Sequence, residues 1–298
     1  MKRLALSAGP ADEGERIDRF IAARGGVSRG AARRALDEGG VFLDGRRCKV
    51  ASRLLRPGQE VVVNLSEGDR SAKGAAPLGR ERLLYADEHL AAVDKPSGVP
   101  AQPTLTSDRG HLAELVSALL GAEVTLVHRL DRETSGVTVL ARTAAAAQKL
   151  SADFRQGRPA KTYLALCARS PSPPAGRIEA PLGKGRTGHP GRRVVRPDGE
   201  PAATAYRTLA TGPGGVALVE ARPETGRTHQ IRAHLAHLGA PLLGDARYGG
   251  PRMLGALAIP RVMLHALRLE LDHPASGERL SLEAAEPEDF RAMRLALL

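Results

Sequence analysis

The sequence predicts an α+β protein of two domains, a small N-terminal α/β domain followed by a larger, strand-dominated mixed domain. Three observations lead there. A helix, helix, hairpin and strand pattern occupies residues 1–66. Residues 67–82 are rich in Gly, Ala, Ser, Pro and charge and carry no periodicity, as a linker would. From 83 to 298 strand-like runs outnumber helical ones.

In the first block Ile17, Phe20 and Ile21 fall at helical spacing before a Gly25-Gly26 stop. Ser28 is placed to cap a second helix running through Ala32 and Leu36 to Gly39-Gly40. Asp44-Gly45 then turns a hairpin, and Pro57-Gly58 leads into a strand over Val61 to Val63. Arg24, Arg29, Arg33, Arg34, Arg46, Arg47 and Lys49 crowd the second helix and the hairpin, a density suited to phosphate contacts.

Beyond the linker, RLLYADEHLAAVDKP reads as two strands around Asp87-Glu88, LAELVSALL as a helix, and VTLV and VTVLAR as strands. AAAAQKLSADF is an amphipathic helix, and KTYLALCA, TAYRTLAT, VALVEARPE and LHALRLEL are strands. Ile231, Leu235 and Leu238 mark one more helix, with Thr228 as candidate N-cap and Gly239 as candidate stop.

Composition narrows the function. Lys and Arg number 44 against 33 Asp and Glu, a formal charge of +11 that favours a polyanionic partner. With four Phe, four Tyr and no Trp, the chain has too few rings to stack successive bases, so nucleic acid would be held mainly by its backbone. Cys48 and Cys167 show neither disulfide nor zinc spacing, which fits a reducing cytoplasm. No signal peptide and no stretch long enough to span a membrane is read.

The chemistry-bearing residues lie in two basic segments. In HRLDRETSG, a loop between two strands, Asp131 sits among His128, Arg129 and Arg132 and is expected to stay ionised. The residues alone leave open a nucleophile, a base or a structural ion pair. In RPETGRTHQIRAHLAHLG, Arg227 precedes a helix start and Arg232 lies in its first turn, ready for a phosphate or for Asp131. His229, His234 and His237 do not share a helix face and have no acidic companion, so no metal is predicted. HRLD differs in order from a kinase HRD loop, and neither a glycine-rich ATP loop nor DFG is present.

RIDRFIA, VSRGAARRALDEGGVFLDG and LRPGQEVVV, within residues 14–64, resemble the S-four-type RNA-binding domain; Arg29, Arg33, Arg34, Arg46 and Arg47 are the candidate RNA contacts. HRLDRETSG, KTYLAL and RPETGRTHQIRAHLAHLGAPLLGDARYG, in that order within residues 83–298, closely resemble the RluA-type pseudouridine synthases. KPSGVPAQPT, Lys95 to Thr104, fits the same pattern.

That resemblance implies a catalytic domain with a mixed, mainly antiparallel sheet, and a cofactor-free isomerase that converts uridine to pseudouridine. Asp131 matches the family's catalytic aspartate, Tyr163 its active-site tyrosine and Arg232 the arginine that pairs with the aspartate. Arg129 matches the residue that fills the space of a flipped base. His128, Thr134, Arg227, His229 and Gln230 are assigned to shaping the pocket or holding substrate. The expected partner is structured RNA, ribosomal RNA first and transfer RNA as the alternative, bound by a cytoplasmic monomer. The competing reading is an RNA-binding or RNA-remodelling protein without catalysis.

Overall fold

The computed structural model describes residues 2–65, 76–185 and 191–298. It divides into two compact units, one of Met1–Leu78 with Gln102–Ala118, the other of Gly79–Ala101 with Leu119–Leu298. Most of the expected linker, residues 67–75, lies outside the described residues.

In the small unit β1 (Lys2–Ser7) is followed by α1 (Ile17–Gly25), α2 (Arg29–Asp37), β2 (Val41–Leu43), β3 (Arg46–Arg47) and β4 (Glu60–Leu65). Its sheet runs β1-β4-β2-β3. The helices start and stop for the reasons read above: the Ser28 hydroxyl accepts the Ala31 N–H at 3.1 Å, and Gly26 closes α1 in the left-handed region. Ile17, Phe20 and Ile21 of α1 pack with Ala32 and Leu36 of α2 onto Val41, Val61 and Val63 of the sheet. The sequence reading missed β1, a six-residue strand that pairs antiparallel with β4 along its whole length.

Residues 102–118 depart from the expected continuous domain over 83–298, because they pack with the small unit. The polar run TLTSDRG supplies acceptors for the basic hairpin. Arg47 donates to the Thr104 carbonyl at 2.7 Å, Lys49 pairs with Asp108 at 3.2 Å, and the Asp108 N–H donates to the Glu38 carbonyl at 3.1 Å.

The remaining elements are β5 (Leu83–Ala86), β6 (Leu90–Lys95), α3 (Leu112–Leu120), β7 (Thr125–Leu126), β8 (Ser135–Ala141), α4 (Ala144–Arg155) and β9 (Ala160–Cys167). They continue with β10 (Ala175–Glu179), β11 (Leu182–Lys184), β12 (Arg193–Val195), β13 (Ala203–Thr211), β14 (Ala217–Pro223) and α5 (Gln230–His237). Last come β15 (Met253–Leu254), β16 (Leu257–Ala258), β17 (Leu264–Asp272), β18 (Arg279–Glu283) and α6 (Glu288–Leu297).

Among the described residues one large sheet runs β10-β13-β14-β9-β17-β8-β6-β5, with β18 added to β17 and β7 to β8. Only β17 and β8 pair parallel, so the sheet is mixed and mainly antiparallel. Strand alternation sends Ala165 and Cys167 of β9 toward Ile231 and Leu235 of α5, and Leu164 and Leu166 toward Phe290 of α6. Burying each such large side chain contributes roughly 1.5–3 kcal/mol, which fixes α5 on the face that also carries Tyr163. Among the described residues no helix is long and apolar enough to cross a membrane.

Candidate active site

Asp131 stands in the loop between β7 and β8, and that loop is held from two sides. The Thr134 N–H donates to the Asp131 carbonyl at 3.1 Å, closing a turn. Across from it the KPSG segment clamps the neighbouring backbone: the wholly buried Lys95 amine donates to the carbonyls of Pro96 (3.0 Å), Val99 (2.9 Å) and Arg132 (3.3 Å), and Ser97 donates to the Glu133 carbonyl at 2.8 Å. Burial pulls the Lys95 pKa down to about 7 against the upward pull of Asp131.

The loop ends where β8 meets β17, and there Gly136 has φ 114°. A Cβ on it would lie 2.1 Å from the Ala266 carbonyl oxygen, so only glycine permits this parallel approach.

The Asp131 carboxylate faces α5. Arg232 Nη1 donates to its Oδ2 at 3.2 Å, and His229 Nε2 lies 3.8 Å from the same oxygen. Arg232 is 4% exposed and is anchored from behind by Asp245, which accepts from Nε at 2.7 Å and from Nη2 at 2.8 Å. The Tyr248 ring lies 5.3 Å from the guanidinium. Burial alone would lower the Arg232 pKa; Asp245 and Asp131 outweigh it and hold the group above its ordinary value.

α5 begins differently from the expectation. His229, not Thr228, is the N-cap, in the left-handed conformation at φ 57°, with no side-chain cap. Its ring is committed elsewhere: Nδ1 lies 3.0 Å from the Tyr248 hydroxyl, which accepts the Arg193 N–H at 2.9 Å. Burial lowers the His229 pKa to about 4, so the ring is neutral near pH 7. The two ring nitrogens thus face different partners, Nδ1 the Tyr248 hydroxyl and Nε2 the Asp131 carboxylate.

Every catalytic and substrate-contacting candidate from the sequence lines one cavity of about 510 Å³, within the range that holds a small ligand. Tyr163 is half-buried there, and its hydroxyl has no hydrogen-bond partner among the described residues. Burial, then the Asp131 charge, pushes its pKa up. Arg129 is exposed and unpaired among the described residues, and Thr134 is buried.

Three candidates have internal partners that their expected substrate contacts would compete with. Gln230 donates to the Ala203 carbonyl and the Thr204 hydroxyl, and its Oε1 accepts from the Thr225 hydroxyl and the Arg227 N–H, which fills its capacity. His128 accepts the Val139 N–H at 2.9 Å and stacks on Phe154 at 4.2 Å, with a pKa lowered to about 3 by burial. Arg227 pairs with Glu200 at 3.0 Å and donates to the Pro201 carbonyl.

In the small unit the RNA candidates divide in the same way. Arg29 and Arg33, with Arg16, converge on the buried Asp18 at 3.1, 2.9 and 3.0 Å, and hold its carboxyl far below the usual range. Arg47 is tied to the carbonyls of Gly39 and Thr104 and lies over Phe42. Arg34 and Arg46 are exposed and have no partner among the described residues.

Asp245, Tyr248 and the clamp by Lys95 escaped the sequence reading, although GDARYG and KPSG were both in view. Nothing in their spacing ties them to Asp131. Among the described residues no group of metal-ligating side chains is found.

Comparison with known proteins adds an independent line. A profile described as RNA pseudouridylate synthase matches residues 89–237, and one described as S4 domain matches residues 15–61. The chain is 39% identical over 290 residues to an RNA pseudouridine synthase of Chloroflexus aurantiacus, covering 95% of this chain and 90% of that protein. It is 38% identical over 214 residues to the dual-specificity RNA pseudouridine synthase RluA of Escherichia coli, covering 70% and 93%. Human RNA pseudouridylate synthase domain containing 4 superposes with a TM-score of 0.60 at 31% identity, over 73% of this chain and 94% of that one.

Proposed function

Because the chain belongs to the RNA pseudouridylate synthase family, as an RluA-type member with an N-terminal S4 domain, we propose that its cavity receives a uridine turned out of structured RNA and that Asp131 drives the isomerisation. The observation that carries this is the convergence of Arg232 and His229 on one carboxylate oxygen inside a cavity that Tyr163 also lines.

The reaction breaks the bond between the uracil N1 and the ribose C1′, turns the ring, and joins C1′ to C5. The C5 proton leaves and N1 gains one, so no cofactor or external oxidant is needed. Attack on C1′, addition to the ring, and removal of a ribose proton to a glycal all require the Asp131 carboxylate against the nucleotide. Arg232, held by Asp245, orients that carboxylate, and Tyr163 lines the cavity beside it. Arg129, exposed and unpaired, enters the gap the base leaves, offsetting an unstacking cost of roughly a few kcal/mol.

The substrate is ribosomal RNA, since the S4 domain adds sequence-independent affinity that suits a large folded RNA. Transfer RNA is the second reading, favoured by the dual-specificity name of the Escherichia coli relative. The protein works as a cytoplasmic monomer.

The test incubates the wild-type protein and Asp131→Asn with total RNA from cells lacking the gene and maps pseudouridine by chemical probing. The variant is expected to lose roughly 10²–10⁴-fold or more in rate. A variant that modifies as fast as the wild type removes Asp131 from the chemistry.

A further inference from the structure

Lys161, a half-buried cation of the cavity, has no countercharge among the described residues. Lys161 precedes Tyr163 by two residues on β9, so both project from the same face of the sheet, and both line the cavity. Its Nζ donates to the Thr225 carbonyl at 3.2 Å, and no carboxylate lies within ion-pair reach among the described residues. The two carboxylates that line the cavity are already engaged: Asp131 with Arg232, and Glu224 with Arg177 through both oxygens. His128, the neighbouring titratable ring, is neutral.

An unpaired, half-buried ammonium is costly unless a ligand supplies the opposite charge. Burial lowers the Lys161 pKa, which registers that missing partner. Arg155, which lines the same cavity, likewise has no ion pair among the described residues. Uracil and ribose are uncharged near pH 7, so the only anions a nucleotide brings with it are its phosphates.

We propose that Lys161 is the seat of a phosphate of the RNA strand that carries the target uridine, so that the backbone is held at the cavity while the base is turned inward. This rests on the cavity being the uridine pocket, and wild-type modification in the same reactions reports on that reading separately.

Steady-state rates of pseudouridine formation are measured with total RNA from cells lacking the gene, from about 50 to 200 mM salt, for the wild type, Lys161→Gln and Lys161→Arg. Lys161→Gln is expected to raise KM about tenfold with kcat within about twofold. It should also lower the magnitude of the slope of log kcat/KM against log salt by about one, the effect of losing one phosphate contact. Lys161→Arg restores the slope. Thermal unfolding checks that Lys161→Gln is folded, and Lys161→Met replaces it if it is not. A salt slope equal to wild type in the folded neutral variant overturns the proposal. So does a loss confined to kcat, which would put the amine on a neutral atom of the base.

Discussion

Arg232 shows how one buried side chain is made to face a reacting group. Its guanidinium is tied at Nε and Nη2 to Asp245, so Nη1 has a fixed direction toward Asp131. Removing the charge of Asp245 leaves a 4% exposed guanidinium short of one carboxylate. Asp245→Asn is therefore expected to cost about 3–5 kcal/mol of stability, measured by urea unfolding, and to lower kcat more than it raises KM. Lys95 gives a second outcome at this scale. Its amine has a pKa of about 7 when folded, against roughly 10.4 in an unfolded chain. Across that window the unfolded chain binds more protons, so folded stability rises with pH, while below about 7 the burial cost is present in full. Urea unfolding at pH 7, 8 and 9 is expected to shift in favour of the wild type over Lys95→Met, by at most about 1.4 kcal/mol per pH unit.

At the scale of elements, α2 divides a set of arginines that look equivalent in sequence. Arg29 and Arg33 are four residues apart and share the face that meets Asp18 of α1, whereas Arg34 is turned about 100° from Arg33. The first two staple helix to helix, whereas Arg34, with Arg46 of the hairpin, is exposed and without a partner among the described residues. Replacing Arg34 or Arg46 by Ala is expected to reduce the salt slope of RNA binding by about one each without moving the melting temperature. Arg33→Ala should instead cost about 1 kcal/mol in thermal unfolding, a modest value because Arg33 is itself exposed and Arg16 and Arg29 remain on Asp18. Equal salt slopes for Arg33→Ala and Arg34→Ala would contradict this division.

For the whole molecule, the excursion of residues 102–118 into the small unit matters most. Their partners, Glu38, Arg47 and Lys49, all come from residues 1–66. Deleting residues 1–66 is therefore expected to weaken binding to large RNA and also to expose this segment. Limited proteolysis should cut between residues 102 and 111 in the truncated protein and not in the full chain. Resistance of the truncated protein there would show that the segment is held by something else.

Much of this organisation was legible in the chain. The α1 and α2 boundaries, the Asp44-Gly45 turn and the alternation of β9 follow from spacing, caps and turn residues, all interactions within a few positions of each other. The motifs around Asp131, Tyr163 and Arg232 were legible through their resemblance to the RluA-type pseudouridine synthases, since the residues alone left a structural ion pair open. What local pattern does not encode is partner choice between charges far apart in sequence. By itself the sequence determined α1 to α5, most of the longer strands and the excess of positive charge, and its resemblance to a known family picked out the three residues that line the cavity. Only the tertiary structure decided that Asp245 anchors Arg232, that Arg29 and Arg33 serve Asp18 and that Lys161 lacks a countercharge among the described residues. A buried ion pair forms only where packing brings its two halves within a few ångströms and removes them from water together.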